Sequence, residues 1–242
     1  MKAFILAAGY GERLKPLTDT MPKPLVPVRG VPAICYSLAL LKKAGIKDAV
    51  CNLHYRADDI VVFFREHGNF GFNIEFSFEE QILGTGGGVK KCQPLFSGDM
   101  VLINSDIITD LDVTAMIDTH RANGSPGTVA IYPSEGAGGT VSLSRGRVAD
   151  FRNFLLTGIR PTHDYLGAAV LGPLVFKYLI PEYSSIVYTG YTGLIAGHRL
   201  DFYEHRGFWQ DIGSIDSYRL AEERLGDCPS IVEGARKVLS GA

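Results

Sequence analysis

Short apolar runs and amphipathic segments alternate along the first 133 residues. Most of the runs have the continuous hydrophobicity of strands covered on both faces of a parallel sheet, and the segments between them have helical spacing. The predicted strands are residues 2–7, 49–53, 72–78, 100–103 and 128–132, and the predicted helices are residues 32–44, 57–66 and 113–121. This order predicts an α/β fold with a doubly wound, mostly parallel, Rossmann-like sheet.

The pattern changes after Pro133. Two short strands separated by an Arg-Gly pair predict a β-hairpin, and further strands and helices follow without a low-complexity linker. The predicted elements are strands 140–144, 147–151, 165–171 and 200–204, and helices 174–179, 192–196 and 215–225. We expect one domain over residues 1–242, with a first half at 1–133, a small second lobe at 134–226 and a helical tail at 227–242.

Charge and composition narrow the class of protein. The formal net charge of −2 and the isoelectric point near 6.3 argue against a general nucleic-acid binder, which normally has a basic excess. No segment reaches the roughly 20 apolar residues that cross a bilayer, so we expect no membrane partner and a cytoplasmic location. The four cysteines are scattered, which predicts small apolar core residues. The six histidines lack metal-ligand spacing, and His54 is interpreted as a surface or packing residue.

The most informative segment follows the first predicted strand. Residues 6–18 read LAAGYGERLKPLT, and residues 21–25 read MPKPL. Gly9 and Gly11 allow a tight turn whose N–H groups face a phosphate, while Arg13, Lys15 and Lys23 supply the positive charge that a triphosphate requires.

Two familiar phosphate loops are excluded by the spacing. The P-loop pattern lacks its Gly-Lys-Ser/Thr, and the Rossmann fingerprint has Leu14 at its third glycine. No acid ends the second strand, near residues 51–54, where a Rossmann protein binds ribose. A plain glycine turn is the alternative for a lone Gly-x-Gly, and the added arginine and lysines make it much weaker.

Four motifs in order resemble one family. The chain resembles the sugar-phosphate nucleotidyltransferases. The motifs that carry the resemblance are the first loop with PKPLVP, EEQILGTGG at residues 79–87, NSD at residues 104–106 and WQDIG at residues 209–213. The resemblance covers nearly the whole chain. It implies the nucleotide-diphospho-sugar transferase type of fold with a small acceptor-side lobe, a nucleoside triphosphate and a sugar 1-phosphate as substrates, and Mg²⁺.

The resemblance also implies roles for residues in the first half. Arg13, Lys23 and Asp106 are the expected catalytic residues, and Glu79 is expected at the edge of the base with Gly84 beneath its ring. The full set expected to bind the nucleotide is Leu6, Ala7, Ala8, Gly9, Gly11, Glu12, Arg13, Lys23, Glu79, Leu83, Gly84, Thr85, Asn104 and Asp106. A carboxylate accepts N–H donors from guanine and from uracil, so Glu79 leaves the base open.

Two acids are the expected ligands of Mg²⁺, which prefers hard oxygen donors. Asp106 follows an apolar strand, at the edge where open parallel sheets bind ligands. Asp211 is expected in a turn after the strand at residues 200–204, and the resemblance assigns the metal to this pair. Asp110 and Asp112 compete with Asp106 but lack the glycine and distal Glu of a calcium loop, so Asp112 is interpreted as a helix cap.

The acceptor side is less clear. Gly167, in YLGAAV, resembles the family glycine that approaches the sugar, and Trp209 is a candidate for stacking on it. Where many members have Glu-Lys-Pro, this chain has DFRNF at residues 150–154, so Arg152 and Asn153 are the candidates for the acceptor phosphate. In this respect the chain is more similar to the short branch of the family, which makes nucleotide-activated N-acetylmuramate, heptose or mannose.

Two other functions stay open at this point. The same fold also supports a cytidylyltransferase acting on a non-sugar phosphate such as phosphocholine, and a non-catalytic nucleotide-sugar sensor. Presence of Arg13, Lys23, Asp106 and Asp211 together favours the enzyme over the sensor. We expect a monomer or a small homo-oligomer.

Overall fold

The computed structural model describes residues 1–134 and 138–241. Its strands are β1 Lys2–Leu6, β2 Pro27–Val28, β3 Val31–Pro32, β4 Asp48–Leu53, β5 Asn73–Phe78, β6 Met100–Asn104, β7 Ile107–Thr109, β8 Gly127–Pro133, β9 Val141–Ser144, β10 Arg147–Phe151, β11 His163–Leu171, β12 Asp201–Glu204 and β13 Trp209–Asp211. Its helices are α1 Leu17–Thr20, α2 Ala33–Lys43, α3 Ala57–Glu66, α4 Gly84–Lys91, α5 Val113–Asn123, α6 Thr192–Gly197, α7 Ile215–Arg224 and α8 Pro229–Ser240. Every strand and nearly every helix predicted from the apolar pattern is present.

The chain divides into two compact units. The loop unit comprises Ala3–Gln81, Ile103–Val113 and Gly207–Ala242, and the hairpin unit comprises Met1–Lys2, Ile82–Leu102 and Thr114–Arg206. The boundary therefore falls within β6. Within the described residues, no helix is both long enough and apolar enough to cross a membrane.

In the loop unit, β1 lies between the end of β6 and β4, and β5 follows β4 in parallel. The middle of β1 is fully buried, as its continuous apolar run predicts, and helix α3 covers the sheet with Phe64. The Phe64 ring packs edge-on against Phe70 and Phe76, with centroids 5.3 and 5.5 Å away. Full burial of such a ring stabilises the fold by about 1.5–3 kcal/mol. The central sheet is mostly parallel with flanking helices, which confirms the predicted fold class.

A small antiparallel ribbon of β7 and β13 was not predicted. Asp211 pairs with Ile107, and Trp209 pairs with Thr109. The expectation of a turn around Asp211 was therefore wrong, because three-residue strands are too short to show a period of two. Asp110, the competitor for Asp106, accepts a hydrogen bond from the N–H of Phe208 at 2.7 Å and so anchors this ribbon.

The hairpin unit contains the order β10-β9-β11-β6, with β8 paired antiparallel to β11 and parallel to β12. The predicted hairpin of β9 and β10 is confirmed. The helix predicted at residues 174–179 is a short 3₁₀ turn over Pro173–Lys177. Helix α4 was missed because its first five residues include four glycines, and glycine has low helix propensity.

Candidate active site

The loop after β1, residues 7–11, is called the phosphate loop after its proposed ligand. Hydrogen bonds from two neighbouring segments fix its start. Ala7 donates its N–H to Oδ1 of Asn52 at 2.9 Å. The carbonyl of Leu6 accepts a hydrogen bond from Oγ of Ser105 at 2.7 Å. These bonds hold the loop on the sheet, and the expected contact of Leu6 and Ala7 with a nucleotide stays a prediction.

The next residues leave their donors open. Among the described residues, no acceptor is bonded to the N–H groups of Ala8, Gly9 or Gly11. Gly11 has a φ of 69° in the left-handed region, and a Cβ there would lie 2.8 Å from Cγ2 of Thr18. Thr18 in turn donates to the carbonyl of Gly11 at 2.8 Å. A turn with unbonded N–H groups is a ready anion-binding concavity.

Lys23 and Asp106 form an ion pair in the loop unit. Lys23 lies in a short 3₁₀ turn between Pro22 and Pro24, and its side chain is 14% exposed. Asp106 lies between β6 and β7, and its side chain is 25% exposed. A cation and a carboxylate are thus brought together at the carboxyl edge of the sheet, 83 residues apart in the chain.

Asp211 lies next to this pair. The N–H of Ile212 donates to the carbonyl of Asp106 at 3.1 Å, which places the two acidic segments side by side. Burial raises the pKa of Asp211, and the negative charge of Asp106 raises it further, while Lys23 and Arg13 partly offset this. The four charged side chains that the sequence analysis singled out therefore act on one another.

Gly213 leaves room for the side chains of Asp211 and Arg13 to lie close to the main chain. A Cβ at this position would lie 2.8 Å from Oδ2 of Asp211 and 3.1 Å from Nη2 of Arg13. The carboxylate and the guanidinium therefore flank a position where only hydrogen fits without displacement. The sequence analysis quoted this glycine within WQDIG but gave it no role.

The donor set fits Mg²⁺. Asp106 and Asp211 offer hard carboxylate oxygens, and burial together with the negative charge of Asp106 raises the pKa of Asp211, so a cation there would be stabilising. Groups of three or more His, Cys, Asp or Glu suited to a metal are absent from residues 1–134 and 138–241. A pair of carboxylates is the protein share that Mg²⁺ commonly takes, with water and substrate phosphates completing its octahedron.

Glu79 is buried, at 4% exposure, directly after β5. Asn52 donates from Nδ2 to Oε1 of Glu79 at 2.8 Å. His54 bonds through Nδ1 to the carbonyl of Glu79 at 2.7 Å and through Nε2 to the hydroxyl of Tyr10 at 2.8 Å. His54 therefore has a defined hydrogen-bonding position, and its interpretation as a surface or packing residue was too weak.

Asn52 is the site residue that the sequence analysis missed. Its side chain is 1% exposed at the carboxyl end of β4 and links Ala7 to Glu79. A polar residue that interrupts an apolar strand at this end was the available signal, since parallel sheets carry ligand sites there.

The remaining candidates for nucleotide binding in the loop unit are Glu12 and Asn104. Glu12 is exposed on the 3₁₀ turn Glu12–Leu14. Asn104 accepts a hydrogen bond at its carbonyl from Oγ of Ser37 at 2.8 Å, so its main chain supports α2.

The glycine-rich segment of the hairpin unit has a packing role of its own. A Cβ on Gly84 would lie 2.5 Å from the carbonyl oxygen of Ser184, and one on Gly87 would lie 2.3 Å from that of Glu182. Leu83 accepts from the N–H of Ser184, and Thr85 accepts from that of Ile186. Close packing against residues 182–186 is one structural reason for these glycines, and the expected contact of Leu83, Gly84 and Thr85 with a nucleotide stays a prediction.

The acceptor-side candidates occupy different elements. Gly167 lies in β11 at φ 95°, where the register with β8 shifts. Arg152 and Asn153 are exposed, both at positive φ, in the turn after β10, and Asn153 accepts from the N–H of Gly158 at 3.1 Å. Trp209, half-buried in β13, accepts at its carbonyl from Arg224.

Buried Asp150 shapes the turn after β10. Its carboxylate accepts hydrogen bonds from the N–H groups of Leu155 and Thr157 and from the hydroxyl of Thr157, at 2.9–3.2 Å. In DFRNF the acid therefore holds the loop, and Arg152 is presented on its surface.

Taken together, the fold and the site define an α/β protein in which a glycine loop, two cations and two carboxylates meet after the first strand. The chain belongs to the Nucleotidyl transferase family, whose profile matches residues 2–151. This is the family to which the four motifs pointed.

Relatives agree with this membership. The chain is 30% identical over 221 residues to the mannose-1-phosphate guanyltransferase of Hypocrea jecorina, covering 88% of this chain and 61% of the relative. It is 31% identical over 238 residues to the UTP–glucose-1-phosphate uridylyltransferase of Synechocystis sp., covering 90% of this chain and 61% of the relative. The chain thus spans 61% of the length of these relatives.

Solved structures share the fold. The UDP-glucose pyrophosphorylase from Acinetobacter baumanii superposes with a TM-score of 0.79 at 17% identity, covering 93% of each chain. A UDP-glucose pyrophosphorylase in complex with UDP-glucose superposes with a TM-score of 0.76 at 18% identity, covering 93% of this chain and 98% of the other.

Proposed function

We propose that the chain transfers a nucleotidyl group from a nucleoside triphosphate to a sugar 1-phosphate, with Mg²⁺, and releases pyrophosphate. The observation that carries the proposal is the meeting of unbonded loop N–H groups with Arg13, Lys23 and the carboxylates Asp106 and Asp211. The names of the two relatives support hexose 1-phosphates as the acceptor class, with guanine or uracil as the base.

The reaction needs charge neutralisation more than proton transfer. An oxygen of the acceptor phosphate forms a bond to the α-phosphorus, and the bond from that phosphorus to the bridging oxygen breaks as pyrophosphate leaves with the electron pair. A phosphate monoester has a second pKa near 6, so the acceptor is already an anion at neutral pH. No general base is required, and positioning and electrostatics supply the catalysis.

Residues of the loop unit have distinct proposed tasks. The N–H groups of Ala8, Gly9 and Gly11 bind triphosphate oxygens, and Arg13 and Lys23 offset the charge that the leaving pyrophosphate gains. Asp106 and Asp211 would hold Mg²⁺. A cation held there would supply positive charge that lowers the repulsion between the anionic substrates.

Base and acceptor roles follow the family assignments. We propose that Glu79 accepts an N–H of the base, supported by the burial that shields its hydrogen bonds from water. For the acceptor we propose Gly167 and Trp209 at the sugar and Arg152 with Asn153 at its phosphate. Exposure of Arg152 in a turn shaped by Asp150 keeps its guanidinium available.

The test is pyrophosphate release with Mg²⁺, crossing four nucleoside triphosphates with sugar 1-phosphates and phosphocholine. We expect release with one preferred triphosphate and one hexose 1-phosphate. Release with CTP and phosphocholine alone would establish the non-sugar alternative. Folded protein that binds nucleotide but releases no pyrophosphate with any pair would support a sensor and refute the enzyme.

A further inference from the structure

The carboxyl end of β4 connects the phosphate loop to Glu79 by two routes. In the first, Asn52 accepts from the N–H of Ala7 at 2.9 Å and donates to Oε1 of Glu79 at 2.8 Å. In the second, His54 connects the hydroxyl of Tyr10 to the carbonyl of Glu79, at 2.8 and 2.7 Å. Two side chains of one strand end thus join the same two segments.

The direction of each hydrogen bond is fixed by its partners. A main-chain N–H can only donate, so Oδ1 of Asn52 faces Ala7 and Nδ2 faces Glu79. Oε1 of Glu79 must then accept. A carbonyl can only accept, so neutral His54 carries its proton on Nδ1, and its Nε2 accepts from the hydroxyl of Tyr10.

Burial makes the loss of a partner costly in the first route, through Asn52. Asn52 and Glu79 are 1% and 4% exposed, so water cannot readily replace a lost partner. A buried amide that is bonded through both its oxygen and its nitrogen holds the two segments in one geometry. The separation of the loop from Oε1 of Glu79 therefore depends on the side chain of Asn52.

We propose that Asn52 is a positioning residue that sets nucleobase selectivity by holding Glu79 at a fixed place relative to the phosphate loop. This inference rests on the proposed function, in which the loop binds the triphosphate and Glu79 the base. Asn52 acts on both through hydrogen bonds and needs no contact with the nucleotide. Discrimination among bases by hydrogen bonds requires placement within about 0.5 Å, which a supporting layer of bonds provides.

The first variant is Asn52→Ala, compared with Asn73→Ala as a matched control. Asn73 starts β5 and donates from Nδ2 to Oδ1 of Asp48 at 3.1 Å. Like Asn52 and Glu79, these two residues form an asparagine–carboxylate pair on β4 and β5, but their pair is exposed and lies at the other end of the strands. Loss of a supporting partner costs about 10–100-fold in activity. We expect Asn52→Ala to raise KM for the preferred triphosphate by about 10-fold or more, to reduce the preference over the next triphosphate, and to change kcat less.

A polarity exchange separates positioning from folding. Asn52→Asp removes the donor and sets two carboxylates against each other, so it should impair triphosphate use on its own. Combining it with Glu79→Gln reverses the bond, because a glutamine Nε2 can donate to the new carboxylate. We expect the double variant to bind triphosphate better than the Asn52→Asp variant and to rank the four bases differently from wild type, since the carboxylate offered to the base is gone.

Three results would overturn the inference. One is an Asn52→Ala protein with the wild-type KM and base ranking, whatever its melting temperature. Another is a double variant whose losses are the plain product of the two single losses, which would mean no coupling. The third is an equal loss in Asn73→Ala. If Asn52→Ala fails to fold, the double variant decides alone.

Failure of the proposed function is visible separately. Wild type that releases no pyrophosphate with any triphosphate refutes the transferase. Active wild type with Asn52 variants of unchanged selectivity refutes only the positioning role.

Discussion

Gly213→Ala should separate activity from stability, because the added methyl group meets only the ends of two side chains. Its Cβ would lie 2.8 Å from Oδ2 of Asp211 and 3.1 Å from Nη2 of Arg13, closer than the 3.4 Å at which ordinary contact begins. The carboxylate and guanidinium must therefore move by about 0.6 and about 0.3 Å, a small but real displacement at van der Waals contact. The φ of Gly213 lies outside the left-handed region, so alanine brings no backbone strain.

The expected effect on function is larger than that on folding. A misplacement of about 1 Å can cost about 10²-fold in rate, so we expect a fall in kcat of about 10–100-fold. Flexible side-chain ends give way easily, and the free energy of unfolding should change by about 1 kcal/mol or less. The two quantities are measured by steady-state pyrophosphate release and by urea unfolding.

Gly234→Ala is the control, because a Cβ on Gly234 in α8 meets open space. This variant should keep wild-type activity. Wild-type kcat in Gly213→Ala would refute the view that Asp211 and Arg13 must stand where the structure places them.

Three further predictions test other parts of the structure. Asp211→Asn should raise the free energy of unfolding in EDTA at pH 7 by about 0.5–2 kcal/mol, the range common for stabilising substitutions, and abolish most activity. Because the pKa of Asp211 is raised, the folded state binds its proton more tightly than the unfolded chain does. The free energy of unfolding of the wild type therefore falls as the pH rises above 3.8, the ordinary pKa of the group. The stability advantage of Asp211→Asn should vanish below that pH, as measured by urea unfolding. Lys23→Met should lower kcat/KM by about 10²–10³-fold, as for loss of one transition-state donor, and an equal pyrophosphate rate would count against its role. Gly87→Ala should destabilise by about 1–3 kcal/mol despite better helix propensity, since its Cβ would lie 2.3 Å from the carbonyl of Glu182, and an unchanged urea midpoint would contradict that packing.

The longer elements could be predicted because their own sequences determine them. β1 is apolar after Lys2, and α2 begins after Pro32 and ends before Gly45, whose φ is 70°. Helix α4 could not be predicted in this way, since its glycines are selected by contact with residues 182–186, about 100 positions away. The β7–β13 ribbon depends on a similar distant pairing.

The charged part of the site came from the motifs. The glycine loop indicated Arg13 and Lys23 as cations for a triphosphate, and the resemblance of NSD and WQDIG to family motifs indicated Asp106 and Asp211. Asn52 had only a weak signal, a polar residue at the end of an apolar strand, because its two partners lie 45 and 27 residues away and only the fold brings them together.

The most direct test of the proposed chemistry follows the phosphorus atoms of the triphosphate. Wild-type protein, Mg²⁺ and the preferred hexose 1-phosphate are incubated with triphosphate labelled at the α-position or at the γ-position. Nucleotidyl transfer predicts that the α-label appears in the sugar nucleotide and the γ-label in pyrophosphate. A γ-label in inorganic phosphate or in a phosphorylated sugar would mean cleavage at the terminal phosphate and would contradict the account.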